Sequence, residues 1–281
     1  MAQHDIDIRG TRWRVHVSGS GPAVLLVHGT GSSGHSFAPL IPCLREHLGP
    51  RTFVVPDLPG HRESGALAEA GPALPAFSAG LADVLRHLEL SPELAVGHSA
   101  GAAVVASMTL ASGLDAALYV GVAPAFVPFP RLQQEAGKLS ARWLAPLSTR
   151  LARLAGLGAS AASTLADVLG VEAFSRLPRE QRDAYAELVG SPPHLEGVLT
   201  MLSRWDVGPV YRALSRLPGR WLLVAGKADT AVPVGQVRRA ARRISRAQLS
   251  VKPGGHVFHE QDPDPLAQEI AQELKKSIDR M

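Results

Sequence analysis

This sequence predicts an α/β fold: a mostly parallel central sheet, covered on both faces by helices and interrupted by one helical insertion. Three observations point to it. Short continuous apolar runs alternate with helical patterns, as strands buried on both faces of a parallel sheet require. A glycine-flanked pentapeptide, Gly97-His98-Ser99-Ala100-Gly101, joins one such run to a helical stretch of small residues. Between Pro124 and about Leu217, helical patterns broken by Gly and Pro replace any run resembling a core strand. The 281 residues suffice for one large core. The expected boundaries are 1–124 and 218–281 for that core and 125–217 for a helical cap.

Taken in order, Asp5 to Arg9 and Thr11 to Ser18 read as a hairpin turned at Gly10. Ala23-Val24-Leu25-Leu26-Val27 is a buried strand, and Arg51 to Val55 is another, ending in Asp57-Leu58-Pro59-Gly60-His61. Ala66 to Ala76, rich in Ala, Gly and Pro, is a loop or the start of a short helix, and Leu81 to Leu88 closes a helix. Leu94-Ala95-Val96 is the strand before the pentapeptide, Ala102 to Ala106 the helix after it, and Ala117 to Ala123 the next strand. Beyond the insertion come strands at Arg220 to Gly226 and Gln248 to Lys252, then a helix from Pro265 to Ile278.

The pentapeptide carries the chemistry. A Gly-x-Ser-x-Gly segment between strand and helix lifts its serine out of the backbone as a nucleophile, and the glycines leave room for the tight turn. A serine hydroxyl needs a base to take its proton, a carboxylate to orient that base, and backbone N–H donors for the oxyanion. The run Ala23 to Val27 ends in His28-Gly29-Thr30-Gly31, so the N–H groups of Thr30 and Ala100 are the candidate oxyanion donors. The strand at Arg220 to Gly226 leads to Asp229, the candidate carboxylate, which is preferred to Asp206 because Asp206 precedes the strand. Gln248 to Lys252 leads through Pro253-Gly254-Gly255 to His256, the candidate base. His259 competes for that role but reads as a packing residue at the start of a helix, and His98 as packing at the elbow, with a secondary reading as a substrate contact.

Composition sets limits. A lone cysteine, Cys43, excludes an intramolecular disulfide, suits a reducing compartment and sits in an apolar stretch suited to burial. With no signal-like N-terminus and no run of about 18 apolar residues, the expectation is a cytoplasmic protein without a membrane span. The net charge of +4 is mild but uneven. Between Phe126 and Ser160 stand Arg131, Lys138, Arg142, Arg150 and Arg153 against the single acid Glu135. That pattern reads first as a solvated helix face; as a functional surface it suits an acidic ligand or peripheral contact with an anionic membrane. No motif for nucleic acid accompanies it. No ligand-like cluster of histidines with carboxylates or cysteines appears, so neither a metal nor a cofactor is expected. The insertion is strongly apolar, and Trp143, Met201 and Trp205, with the cations Arg131 and Arg142, are its candidate substrate contacts. Such a lid suits a substrate with a large hydrophobic body.

The order Ser99, Asp229, His256 is that of α/β-hydrolases, and the chain resembles that family over its whole length. More narrowly it resembles the magnesium-chelatase accessory proteins of the BchO type from bacteriochlorophyll biosynthesis. The narrower likeness rests on Ser191-Pro192-Pro193-His194, Met201, Trp205-Asp206 and the total length; the other motifs are shared widely. One departure stands out: after Pro59-Gly60-His61 the common pattern continues with Gly, and this chain has Arg62. The resemblance implies an accessory role in tetrapyrrole synthesis near magnesium insertion, with a porphyrin or its ester as the hydrophobic ligand and chelatase subunits as partners. It supplies no reaction; the constellation of Ser99, His256 and Asp229 reads as an esterase-type serine hydrolase, with a non-catalytic porphyrin carrier as the second reading. A general carboxylesterase or carbon–carbon bond hydrolase is the remaining alternative. Ser99 in place of a nucleophilic aspartate points away from dehalogenase and epoxide hydrolase chemistry.

Overall fold

The computed structural model describes residues 2–68, 71, 73–128 and 176–280. Its centre is an eight-stranded sheet of order β1-β2-β4-β3-β5-β6-β7-β8. The strands are β1 (Ala2–Ile8), β2 (Thr11–Gly19), β3 (Ala23–Val27), β4 (Thr52–Pro56), β5 (Pro92–His98), β6 (Leu118–Val122), β7 (Trp221–Gly226) and β8 (Ala247–Lys252). β1 pairs antiparallel with β2, and β2 antiparallel with β4; every other pairing is parallel. The β1–β2 turn is the two residues Arg9 and Gly10, both at positive φ, the geometry that matches the twist of a hairpin.

The continuous apolar runs became the central strands for the expected reason. β3, β6 and β7 are buried at every position, whereas the edge strand β8 has no fully buried residue. Period-2 alternation sorts their side chains between two cores. Leu25 and Val27 join Trp13, Phe77 and Val104 on one face. Val24 and Leu26 join Phe37, Leu44 and Ile270 on the other. Helices α2 (Ala73–His87) and α3 (Ala100–Ser112) cover the first face, and α1 (Leu40–Leu48) with the C-terminal helix Asp264–Ile278 covers the second. Each large apolar side chain so buried contributes about 1.5–3 kcal/mol. α3 is buried along its first ten residues, and its small residues let it lie close to the sheet.

Boundaries moved by a few residues. α2 starts at Ala73, within the stretch expected to be a loop or the start of a short helix, and Cys43 is half-buried. Between β6 and β7 the described residues form helices only: α4 (Arg179–Val189), α5 (Pro192–Ser203), α6 (Gly208–Ala213) and a 3-10 turn. Arg131, Lys138, Arg142, Trp143, Arg150 and Arg153, and with them the basic segment, lie outside the described residues.

Candidate active site

The strand order reverses at β3, which has β4 on one side and β5 on the other. A crevice opens at the carboxyl ends of strands where connections diverge in this way. The loops after β3, β5, β7 and β8 carry the predicted residues to that end of the sheet.

Ser99, between β5 and α3, has φ 52° and ψ −116°, a conformation that a side chain-bearing residue adopts only when its surroundings impose it. Two glycines impose it here. A Cβ on Gly97 would lie 2.4 Å from Ala102 N, and one on Gly101 would lie 2.1 Å from Val27 O, so the turn closes and α3 docks on β3 only with hydrogen at both positions. Ser99 N–H donates to Val122 O at 2.9 Å, and Ala125 N–H donates to Ser99 O at 3.1 Å, pinning the turn to the end of β6.

Asp229 and His256 meet across the β7 and β8 loops. Asp229 Oδ1 accepts from the N–H groups of Ala231 (2.9 Å) and Val232 (2.8 Å), which fixes the carboxylate. Its Oδ2 lies 2.9 Å from His256 Nδ1. A carboxylate only accepts, so the ring proton sits on Nδ1 and Nε2 carries the lone pair. The His256 segment is tied to the elbow through His98, whose Nε2 donates to His256 O at 3.1 Å. His98 is buried between the rings of His256 and His259, at centroid distances of 4.8 and 4.3 Å, which is a packing position. His259 is buried in the short helix Phe258–Gln261 against Phe37. Asp206 lies apart from this group and accepts from Gly208 N–H at the start of α6.

The loop after β3 lies against the elbow: a Cβ on Gly29 would be 3.0 Å from Ser99 Cβ. Ala100 is the first residue of α3, one of the positions whose N–H has no carbonyl within its own helix. Thr30 Oγ1 lies 3.6 Å from Met201 Sδ, so α5 of the insertion reaches this loop, and Trp205 follows it half-buried against the core.

His28, Asp57 and His194, which shape the loop, lie within sequence motifs, but sequence reasoning gave their side chains no part in the site. His28 Nε2 accepts from Leu58 N–H at 2.9 Å, so Nδ1 bears the proton and donates to Gly29 O at 2.8 Å. His194 Nδ1 accepts from Arg62 N–H at 3.1 Å, which leaves Nε2–H to donate to Gly31 O at 3.3 Å. Burial lowers both histidines to about 3, so they stay neutral and keep these tautomers. Asp57 Oδ1 accepts from Gly34 N–H at 2.7 Å at the far end of the loop. Among the described residues no group of three His, Cys, Asp or Glu is placed to hold a metal ion.

A family profile described as "Alpha/beta hydrolase family" matches residues 24–269. The magnesium-chelatase 30 kDa subunit of Rhodobacter capsulatus is 35% identical over 255 residues, covering 88% of this chain and 84% of that one. The pimeloyl-[acyl-carrier protein] methyl ester esterase of Xanthomonas oryzae pv. oryzae is 30% identical over 247 residues, 86% of this chain and 90% of that one. Among solved structures, a thermophilic esterase from Thermogutta terrifontis superimposes with a TM-score of 0.77 at 22% identity, covering 99% of both chains. That last likeness is one of fold.

Proposed function

The chain belongs to the alpha/beta hydrolase family, and from that premise we propose that it is an esterase-type serine hydrolase with Ser99 as nucleophile, His256 as base and Asp229 as orienting carboxylate. The observation that carries the reading is the 2.9 Å contact of Asp229 Oδ2 with His256 Nδ1, in a segment tied through His98 to the strand-to-helix turn that holds Ser99 at positive φ. His256 Nε2 takes the Ser99 proton as Oγ attacks the ester carbonyl, and the N–H groups of Thr30 and Ala100 receive the negative charge. The imidazolium protonates the departing alcohol. Water, deprotonated by the same nitrogen, then releases the acid and restores Ser99. The helical insertion acts as a cap whose apolar residues, Met201 and Trp205 among them, suit a substrate with a large hydrophobic body.

Two relatives narrow the substrate. One acts on a methyl ester by its name, and the other is named as a magnesium-chelatase subunit. A porphyrin carboxylic ester accords with both names; on this reading the activity belongs beside magnesium insertion, with chelatase subunits as the expected partners. The chelatase name alone favours a second reading, a carrier that holds porphyrin for the chelatase without hydrolysing it. Among the described residues no helix is long and apolar enough to cross a membrane.

Fluorophosphonate labelling read by intact mass separates the two. One adduct on the wild type, absent from Ser99→Ala and His256→Ala, is the result the esterase reading requires. A folded wild type that takes no label yet binds porphyrin overturns it in favour of the carrier.

A further inference from the structure

Tyr185, on α4 of the insertion, touches both halves of the candidate site. Its hydroxyl donates to Glu260 Oε1 at 2.7 Å. Ser32 Oγ lies 3.2 Å from the same tyrosine oxygen, within hydrogen-bond reach. Ser32 lies two residues after Thr30, and Glu260 four residues after His256. The ring packs on the cluster of Leu177 and Val257, the latter the residue after His256, and stands edge-on to His35 at 4.7 Å. Glu260 is fully buried, and among the described residues its Oε2 has no partner. On its own helix it faces His259 Nε2 at 3.9 Å, and the His259 ring leads through His98 back to the elbow.

Building on the proposed esterase reading, we propose that Tyr185 is a positioning residue that holds the oxyanion loop and the His256 segment in register through Ser32 and Glu260, so that the site is complete only when the insertion helix is seated. Each half hangs on a separate loop, and Tyr185 bridges them from a third segment. Unseating α4 removes the hydrogen bond of a fully buried carboxyl group, so the His256 helix rearranges with it.

The same contact adds a pH dependence. Burial pushes Glu260 up to about 8. The groups facing it stay neutral through that range: burial raises Tyr185 on α4 well above its ordinary value, holds His259 down at about 3, and holds His35, in the 3-10 turn beneath the tyrosine, at about 4. Glu260 is thus neutral below about pH 8 and becomes an enclosed anion above it, loosening the segment that carries His256.

The test compares wild type, Tyr185→Phe, Ser32→Ala and Glu260→Gln by hydrolysis of p-nitrophenyl esters, fluorophosphonate labelling rate and amide hydrogen exchange. Tyr185→Phe keeps the ring and removes the hydroxyl. It is expected to lower kcat and the labelling rate by about 10- to 100-fold with KM within about twofold, and to raise exchange in both 30–34 and 256–261 while β5 and β6 stay protected. Ser32→Ala, which removes one arm of the bridge and answers the question should Tyr185→Phe not fold, gives a smaller loss in the same direction. Ser32→Ala combined with Tyr185→Phe is no slower than Tyr185→Phe alone. Glu260→Gln, with a side chain that still accepts from Tyr185, loses the decline in activity above about pH 8. Wild-type labelling of Tyr185→Phe, a loss confined to KM, or increased exchange in α4 alone overturns the proposal. If the wild type itself takes no label, the esterase reading falls, and the exchange comparison still decides whether Tyr185 joins the two loops.

Discussion

Ser99 and Arg62 both carry a side chain at positive φ, 52° and 47°, and they do so on different terms. Ser99 is clamped by glycine-mediated contacts on both sides, and its conformation presents a hydroxyl. Arg62 occupies a position where the family pattern has Gly, and the structure keeps the left-handed backbone that Gly would adopt. Its N–H donates to His194 whatever the side chain, and among the described residues its guanidinium makes a 3.4 Å contact with Ser33 Oγ and a 3.8 Å ion pair with Glu63. A left-handed residue with a Cβ costs about 1–2 kcal/mol, more than an exposed ion pair returns. Arg62→Gly is therefore expected to raise the thermal midpoint by roughly 2–4 °C; a lower midpoint in a melting experiment shows that the arginine contacts outweigh the strain. Legibility at this scale follows from locality. Ser99, Asp229 and His256 each close a readable apolar run, so strand periodicity pointed to them. Tyr185 and His194 bond to residues 75 and 163 positions away, and nothing in their own neighbourhoods announces it.

At the scale of elements, the sheet was readable because β3, β5, β6 and β7 are written as continuous apolar runs, and the hairpin because Gly10 marks its turn. The exact start of α2 was hidden, since Pro and Gly around residue 71 fit a loop as well as the start of a helix, while tertiary packing of Ala73, Leu74 and Phe77 on the core sets it at Ala73. The seating of α5 was equally hidden. It crosses the loop after β4 with Gly197 against Gly60: a Cβ on Gly197 would lie 1.9 Å from Gly60 O, and one on Gly60 would lie 2.7 Å from Gly197 Cα. No side chain fits between these backbones, so Gly197→Ala must lift the helix, and with it Met201 and the His194 bond to Gly31 O. The expected outcome is faster proteolysis and amide exchange in 192–203, a several-fold loss of ester hydrolysis, and little change in the exchange of β5 and β6. Unaltered exchange in α5 would mean that the crossing relaxes without moving the helix.

Over the whole molecule the unusual quantity is the number of neutral histidines the fold encloses. Burial lowers His28, His194 and His259 to about 3 and His35 and His61 to about 4, and drives His98 well below its ordinary value. A base whose folded value is depressed stays unprotonated in the native state while the unfolded chain takes up a proton below about 6.5, so stability is lost as pH falls from about 6.5 toward 3–4. Each such group contributes a slope of about 1.4 kcal/mol per pH unit inside that window. Glu260 acts in the opposite sense, since its folded value is raised and stability declines from about pH 4.5 up to 8. One carboxyl opposes six imidazoles, so the histidines dominate below 6.5. Even half their combined slope exhausts a typical stability of about 5–15 kcal/mol within about one to four pH units. Thermal melts from pH 4 to 9 should thus show a maximum near neutrality and unfolding between about pH 4 and 6, with the acid limb made shallower by His259→Phe, which removes an enclosed imidazole that has no hydrogen-bond partner among the described residues. A midpoint that stays flat down to pH 4 would mean that water reaches these rings and that the enclosure around the candidate site is looser than the packing implies.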